Sequence, residues 1–594
     1  MNNPTNQRIN ALREQMSQNG ITATIIPQTD PHQSEYLAAH WQARRWFSGF
    51  TGSAGTLVVT DTEALLWVDS RYFLQAARQI KDSEIKMMKI AIPGYPTINE
   101  YLAANLRQGD TVGIDGMLFS AREYDSMNNT LKAAGIKINP AFDPATPLWI
   151  DRPALPSCPV IIHKDEYAGQ SASGKLDEIR QFMATNNADA MLMSALDEIA
   201  WTLNIRSRDV KCNPVATSYL YITPNGGTLF INLDKITAET ADYLTSLNID
   251  TRPYDSIIQF LSQSTQPVIA LDPATTSARV LHTIGDRAHL VTSPAQLAKA
   301  IKNATQIQGI RQAMMRDGLA LVKSFIEIEE RVLRGDIVTE MTVADILHKF
   351  RSSQNLYFDE SFDTIAGYGP HGAIVHYSAT PETDARVNTD NLLLVDSGGQ
   401  YLDGTTDITR TMTFGLPSER QRRDFTLVLK GHIDMSMAVF PTGTRGTQLD
   451  ILARQPLWKA GLNYLHGTGH GVGHFLNVHE GPHGIRTNDI PTPLHAGMLV
   501  TDEPGLYLEG QYGIRCENTL LVVPAIKSEM GEFLTFEPLT LFPFDLKLID
   551  PSLLDNSEIE WLNNYHERVY QTLAPHLDPK EKTWLNNATR PLRH

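Results

Sequence analysis

The stretch NLLLVDSGGQYLDGTTDITRTMTF, residues 391–414, decides the fold. Four apolar residues, Leu392 to Val395, run into Asp396 as a buried strand does. Gly398 and Gly399 then open a turn, and a second strand carries Asp407. The pattern predicts a hairpin with two carboxylates facing one another. On the second strand, a period of two puts Asp407, Thr409 and Thr411 on one face and Ile408 and Met412 on the other. Aspartate is common at turns for structural reasons, so Asp396 alone would mean little. Two facing carboxylates are harder to assign to turn chemistry.

Farther along, VTDEPGLYLEGQYGIRCENTLLVV (500–523) places Glu503 at the end of one expected strand and Glu517 inside another. An ionised carboxylate in an apolar strand needs a cation or a donor. Alternation puts Arg515, Glu517 and Thr519 on one side and Ile514, Cys516 and Leu520 on the other. Two accounts stay open: a closed Arg515–Glu517 pair, or a metal at Glu517 with Arg515 orienting the ligand from behind.

Between these acidic segments lies HGTGHGVGHFLNVHEGPHG (466–484), with His466, His470, His474, His479 and His483. Glycines around His470 remove side chains that would shield it. His479, Glu480 and His483 satisfy H-E-x-x-H literally, but that motif works only on a helix, and Gly481-Pro482 opposes one. GTGHGVG lacks the dinucleotide-loop spacing, and neither a G-x-S-x-G elbow nor a phosphate-binding P-loop occurs. What remains is two Asp, two Glu and one His, a hard, oxygen-rich donor set whose four carboxylates balance two divalent cations. Two such ions, about 3.5 Å apart, acidify a shared water and polarise a carbonyl. His376, His466 and His479 would then bind that carbonyl or relay protons.

The rest of the chain sets the context. A length of 594 residues predicts several domains. The formal net charge of −16 repels phosphate backbones, so nucleic acid is not an expected partner. Cys158, Cys212 and Cys516 form neither a disulfide framework nor a metal knuckle, which fits a reducing compartment. No secretory h-region and no run of about 18 apolar residues is found, so a cytoplasmic protein without membrane attachment is expected. Six prolines between Pro140 and Pro159 mark a domain boundary. TATII, GTLVVT and ALLWVD before it, and ADAMLM, SYLYIT and GTLFINL after it, repeat at a displacement of about 165 residues, which suggests two related α/β domains. Two helices lead into the third region near Ser293, with Gly335 as a stop. From about Met530 the chain shows no cluster of chemical groups, and packing or subunit contact is its expected role.

The order Asp396, Asp407, His470, Glu503, Glu517 resembles the metallopeptidases of pita-bread fold. More narrowly, the chain is similar to the cytosolic three-domain Xaa-Pro aminopeptidase (aminopeptidase P) family. The likeness rests on FSGFTGSAGT, WVDSRYFLQAA, IVHYSATPET, DSGGQYLDGTTDITRTM, HGTGHGVGHFLNVHEGP, TDEPGLY, GIRCEN, LTFEPLTLFPFD and WLNNYH in this order. The resemblance implies an α/β (α+β) chain with two creatinase-like N-terminal domains (1–157 and 158–303). A pita-bread catalytic domain (304–530) and a C-terminal extension (531–594) at a dimer contact would follow. It implies that Asp396, Asp407, His470, Glu503 and Glu517 hold two divalent ions, manganese first, with zinc or cobalt possible, and that Asp407 and Glu517 bridge them. His376, His466, His470 and His479 would contact substrate or move protons, Arg71 and Arg515 would help to bind peptide, and Glu503 would handle the proton of the attacking oxygen. The implied reaction is attack by a dimetal-bridging hydroxide on the N-terminal Xaa-Pro bond of a peptide, in a homodimer. The null account of Arg71 is an ion pair with Asp69. A prolidase-type dipeptidase lacks the middle domain, and a non-catalytic pita-bread binding module would have lost ligands; these are the alternatives. His474 stands where many relatives carry a small polar residue, and its effect on the pocket is left open.

Overall fold

The apolar runs before and after the prolines form two sheets of six strands each. The first comprises Ala23–Ile26, Thr56–Thr60, Ala64–Val68, Lys86–Lys89, Thr111–Gly113 and Lys137–Asn139. The second comprises Ala190–Met193, Ser218–Thr223, Gly226–Ile231, Ile249–Pro253, Ile269–Leu271 and Ala288–Leu290. Counted within each sheet, the spatial order is 4-3-2-1-5-6 in both. The sense repeats as well: strand 1 pairs antiparallel with 2 and parallel with 5, 2 runs antiparallel to 3, and 3 runs parallel to 4. The repeat seen in the sequence is therefore a repeat of topology. Between Asn139 and Ile161 the proline-dense chain has neither helix nor strand.

The computed structural model describes residues 3–593. Both sheets lie in one compact unit, formed by the chain up to His163 together with Gln170–Ala295; Lys164–Gly169 and the chain from Gln296 onward make the second.

In the second unit the helix Ala304–Arg334 starts at Asn303, whose side chain accepts from the Gln306 amide in a capping box. It stops at Gly335, which takes the left-handed conformation at φ 83° that most residues resist. Of the sheets that follow, two antiparallel ones carry most of the site. The smaller has the order Ile365–Tyr368, Leu392–Ser397, Ile408–Thr413. The larger has the order Val439–Pro441, Gly531–Pro538, Asn518–Ser528, Leu499–Asp502, Gly469–Gly471, Glu480–Ile485. Gly531–Pro538, beyond the expected boundary at residue 530, pairs along Asn518–Ser528 in this sheet. Leu393 and Val395 pack with Phe425 and Ile433 of the helix Glu419–Ser436 and with Leu562 and Val569 of the helix Asn556–Leu573 in one core.

The hairpin differs from its expected form in one respect. Asp396 stands opposite Thr409, and Asp407 lies just outside the strand Ile408–Thr413. The connection holds its own small pairing, Gly399–Tyr401 with Gly404–Thr405, which uses up the residues of a simple turn. Gly398 makes this bend possible, because a Cβ there would stand 2.0 Å from the Thr406 carbonyl oxygen and 2.3 Å from Ser361 Oγ. Gly398→Ala is expected to destabilise the second unit by about 1–3 kcal/mol, read as a lower urea midpoint of its unfolding transition. An unchanged midpoint would contradict this packing.

Candidate metal centre

Five side chains arrive at one place from the ends and breaks of strands. Asp396 is the last residue but one of the strand Leu392–Ser397, Asp407 precedes the next, and His470 is the middle residue of Gly469–Gly471. Glu503 follows Leu499–Asp502, and Glu517 lies between Tyr512–Arg515 and Asn518–Ser528 rather than inside a strand, because the chain passes there from one sheet to another. Ligand atoms of Asp407, His470 and Glu517 lie within 4.8 Å of one another. His470 Nε2 is 3.4 Å from Asp407 Oδ2 and 3.6 Å from Glu503 Oε1. Its Nδ1 is 2.9 Å from the Gly471 carbonyl, a bond that puts the proton on Nδ1 and turns Nε2 towards the carboxylates. The glycines beside His470 prove to serve backbone approach: a Cβ at Gly469 would meet the Thr501 carbonyl at 1.9 Å, and one at Gly471 the Glu480 carbonyl at 2.1 Å.

The polar stripe of the hairpin does what alternation predicts. Thr409 Oγ1 donates to Glu517 Oε2 at 2.7 Å, and Thr411 Oγ1 donates to the Arg515 carbonyl at 3.2 Å. Thr519 Oγ1 reaches the Asp407 carbonyl at 3.1 Å. Arg515 does not close on Glu517 as the simpler account required. Its Nη2 binds Asp396 Oδ2 at 2.6 Å, Nε donates to Thr409 Oγ1 at 3.0 Å, and Nη1 donates to Tyr507 Oη at 2.8 Å.

Charge in this pocket is unbalanced. Burial, then the charges of Asp407, Asp396 and Glu503, drive the Glu517 carboxyl well above the usual range, and Arg515 offsets only part. Burial likewise raises Asp396 against the pull of Arg515, and raises Glu503 against His470 and Arg515. For His470, burial disfavours the charged ring, but the bond to Asp407 and the charges of Glu503 and Asp407 outweigh it and raise the imidazole to about 9. Asp396 Oδ1 is buried with no hydrogen-bond partner among the described residues. Several buried carboxylates raised by burial and mutual charge, an orphaned carboxylate oxygen and one imidazole turned towards them suit hard divalent ions.

The remaining expected residues divide. His479 packs its ring edge-on against His470, with centroids 4.3 Å apart. His466 Nε2 lies 2.8 Å from Tyr507 Oη, which joins it to Arg515 and so to Asp396. His376 is half-buried on a loop whose neighbouring residues are tied to Glu340. That buried carboxylate accepts from Tyr377 Oη at 2.9 Å and from the amides of Tyr368 and Ala385 at 2.7 and 2.9 Å. Arg71, in the first unit, binds both carboxylate oxygens of Asp69 at 2.9 and 2.8 Å, the ion pair of its null account. His474 is buried. His483 is a core histidine: Nε2 is 2.7 Å from the Leu499 carbonyl, and burial pushes it down to about 4. Glu480–Ile485 is a strand, and Glu480 is held by Lys299 and Lys302, so the H-E-x-x-H spelling has no helix to work on. The sequence reading does not single out Tyr507 or Glu340; Tyr507 follows Glu503 by four residues, and no local pattern marks either side chain as a partner of the site.

With this geometry in hand, comparison with known proteins is informative. Residues 308–524 match metallopeptidase family M24, and 532–592 match its C-terminal region. Residues 8–147 and 151–306 each match a creatinase/prolidase N-terminal domain. Aminopeptidase P2 of Arabidopsis thaliana is 41% identical, with 99% of this chain and 88% of the relative covered. The crystal structure of X-prolyl aminopeptidase from Caenorhabditis elegans, described as a cytosolic enzyme with a di-nuclear active site, superposes with a TM-score of 0.96 at 37% identity over 99% of this chain and 100% of that one. The Xaa-Pro dipeptidase of Bacillus anthracis shares the fold over only 63% of this chain, with a TM-score of 0.51 at 22% identity. The sheet order, the converging acidic residues and these likenesses agree that the chain is an enzyme of the Xaa-Pro aminopeptidase (aminopeptidase P) family within the M24 metallopeptidases.

Proposed function

We propose that the protein removes the N-terminal residue of peptides whose second residue is proline, and that it does so with two divalent ions, manganese first among them. The observation that carries this reading is the cluster of Asp407, His470 and Glu517 within 4.8 Å, flanked by Asp396 and Glu503 in a pocket whose negative charge Arg515 and His470 oppose. The names of its relatives support the substrate class, and a cytosolic location is supported by the description of the C. elegans enzyme. Among the described residues, no helix is long and apolar enough to cross a membrane.

Asp396, Asp407, His470, Glu503 and Glu517 would hold the two ions. Bound there, the ions supply Lewis-acid polarisation of the scissile carbonyl and an acidified water. Every other task falls to the chain. His470 presents Nε2 because Gly471 occupies Nδ1. Arg515 has all three guanidinium nitrogens engaged inside the domain, so its work is to hold Asp396 rather than to touch peptide. Glu503, whose proton affinity burial raises, takes the proton of the attacking water and delivers it to the departing proline nitrogen. His466 with Tyr507 is a short proton path, and His376 and His479 meet the peptide.

A single assay tests the reaction: Arg-Pro-Pro with and without manganese, Gly-Pro beside it, and Asp407→Ala. The tripeptide is cleaved only with metal. Asp407→Ala loses more than about 100-fold in turnover, beyond the 10–100-fold typical of a residue outside the ligand set. Cleavage of Gly-Pro alone would instead assign a dipeptidase, and undiminished activity after exhaustive chelation would refute the metal reading.

A second expectation concerns pH. In the metal-free protein His470 stays protonated up to about 9, and a metal ligand must be neutral. Metal uptake near neutrality therefore expels a proton, and apparent affinity falls as pH is lowered through about 9. Titration calorimetry in two buffers of different ionisation heat measures this; identical heats and a pH-independent affinity would contradict it.

A further inference from the structure

Behind the two glutamates lies a buried polar chain that the reaction does not use. Asp502 precedes Glu503 and Asn518 follows Glu517, so alternation points both away from the acidic pocket, and the two are direct partners across the strands. His432, from the helix Glu419–Ser436, bridges them. Its Nδ1 is 3.0 Å from the Asp502 carbonyl and 3.1 Å from Asp502 Oδ2, and its Nε2 accepts from Asn518 Nδ2 at 3.1 Å. Ser436 Oγ donates to Asp502 Oδ2 at 2.9 Å. His432, Asp502 and Asn518 are each 0% exposed.

The chain continues into the C-terminal extension. Asn518 Oδ1 accepts from Arg410 Nη2 at 2.8 Å, and Arg410 Nη1 donates to the Glu517 carbonyl. Arg410 Nη2 also donates to Tyr565 Oη at 2.9 Å. Tyr565 has one hydroxyl proton to share among the Phe542 carbonyl at 2.9 Å, the Thr540 carbonyl at 3.0 Å and Asn518 Oδ1 at 3.2 Å. Asp502 Oδ1 has no hydrogen-bond partner among the described residues, while along the rest of the chain each link restricts the next.

The position of this chain gives it a task. Glu503 and Glu517 sit where strands end, so the regular ladder does not hold them. Each amide makes a single contact outside the ladder, Glu503 to the Thr468 carbonyl at 2.7 Å and Glu517 to the Thr409 carbonyl at 3.2 Å. The Glu517 carbonyl and the carbonyl before Glu503 are both taken by the buried chain.

We propose that Tyr565, supplied by the helix Asn556–Leu573, is a positioning residue of the metal centre, acting through Arg410, Asn518, His432 and Asp502 on the backbone that carries Glu503 and Glu517. This rests on the reading that those glutamates hold metal. The test is manganese titration of the chelator-stripped, full-length protein by calorimetry, with the melting temperature of each stripped variant. Tyr565→Phe is expected to weaken manganese binding about tenfold, as loss of an outer support does. Tyr254→Phe is the matched control: it removes another buried tyrosine hydroxyl, 2.8 Å from His32 Nε2 in the first unit, and should lower the melting temperature without moving the isotherm. Ser436→Ala trims the other end of the chain, should weaken binding in the same direction, and decides the matter if Tyr565→Phe does not fold. A wild-type isotherm for either folded variant overturns the positioning role. Failure of the wild-type protein to bind manganese overturns the metal reading itself.

Discussion

Four carboxylates forced into one buried pocket are the constraint from which the catalytic half of the molecule follows. Two unit charges about 5 Å apart repel by roughly 3 kcal/mol at an effective dielectric of 20. Asp396, Asp407, Glu503 and Glu517 are answered by the Arg515 guanidinium and the His470 ring. Burial and this mutual repulsion raise Glu517 and Glu503. Divalent ions would answer the same charges, so that the repulsion becomes affinity for metal.

The architecture keeps that arrangement by placing polar side chains behind Glu503 and Glu517 as well as in front of them. In front, Thr409 and Arg515 orient Glu517 and Asp396. Behind, Asp502, Asn518 and His432 occupy positions where an ordinary strand would bury apolar side chains. A buried polar chain is poor value for stability compared with packed hydrocarbon, but it holds one geometry where a hydrocarbon contact would tolerate several. The C-terminal extension thereby does more than cover a core, since Tyr565 closes this chain.

Close backbone approach is the second structural resource. Gly398, Gly469 and Gly471 each stand where a Cβ would penetrate a neighbouring carbonyl. Their glycines bring the hairpin and the His470 strand near enough for short carboxylates and an imidazole to meet. A different buried carboxylate, Glu340, gathers the loop around His376 by accepting from the side chains and amides on both of its flanks.

Much of this was legible in the sequence. Period-two patterning separated Thr409 and Thr411 from Ile408 and Met412, because side chains in a strand alternate whatever surrounds them. The paired rhythm of the first three hundred residues likewise announced two like sheets, since a strand's composition reflects its burial. Other features were beyond local reading. Whether Arg515 would meet Glu517 or Asp396, whether His483 would face metal or core, and what Tyr565 would touch all depend on strands more than a hundred residues apart or on which way a ring turns. Sequence by itself determined which residues could ligate and which face each occupied, because those are properties of the chain's own periodicity. Only the tertiary structure decided which charges meet, because Coulomb and hydrogen-bond partners are set by distance in space, and a pairing across 119 residues leaves no local trace.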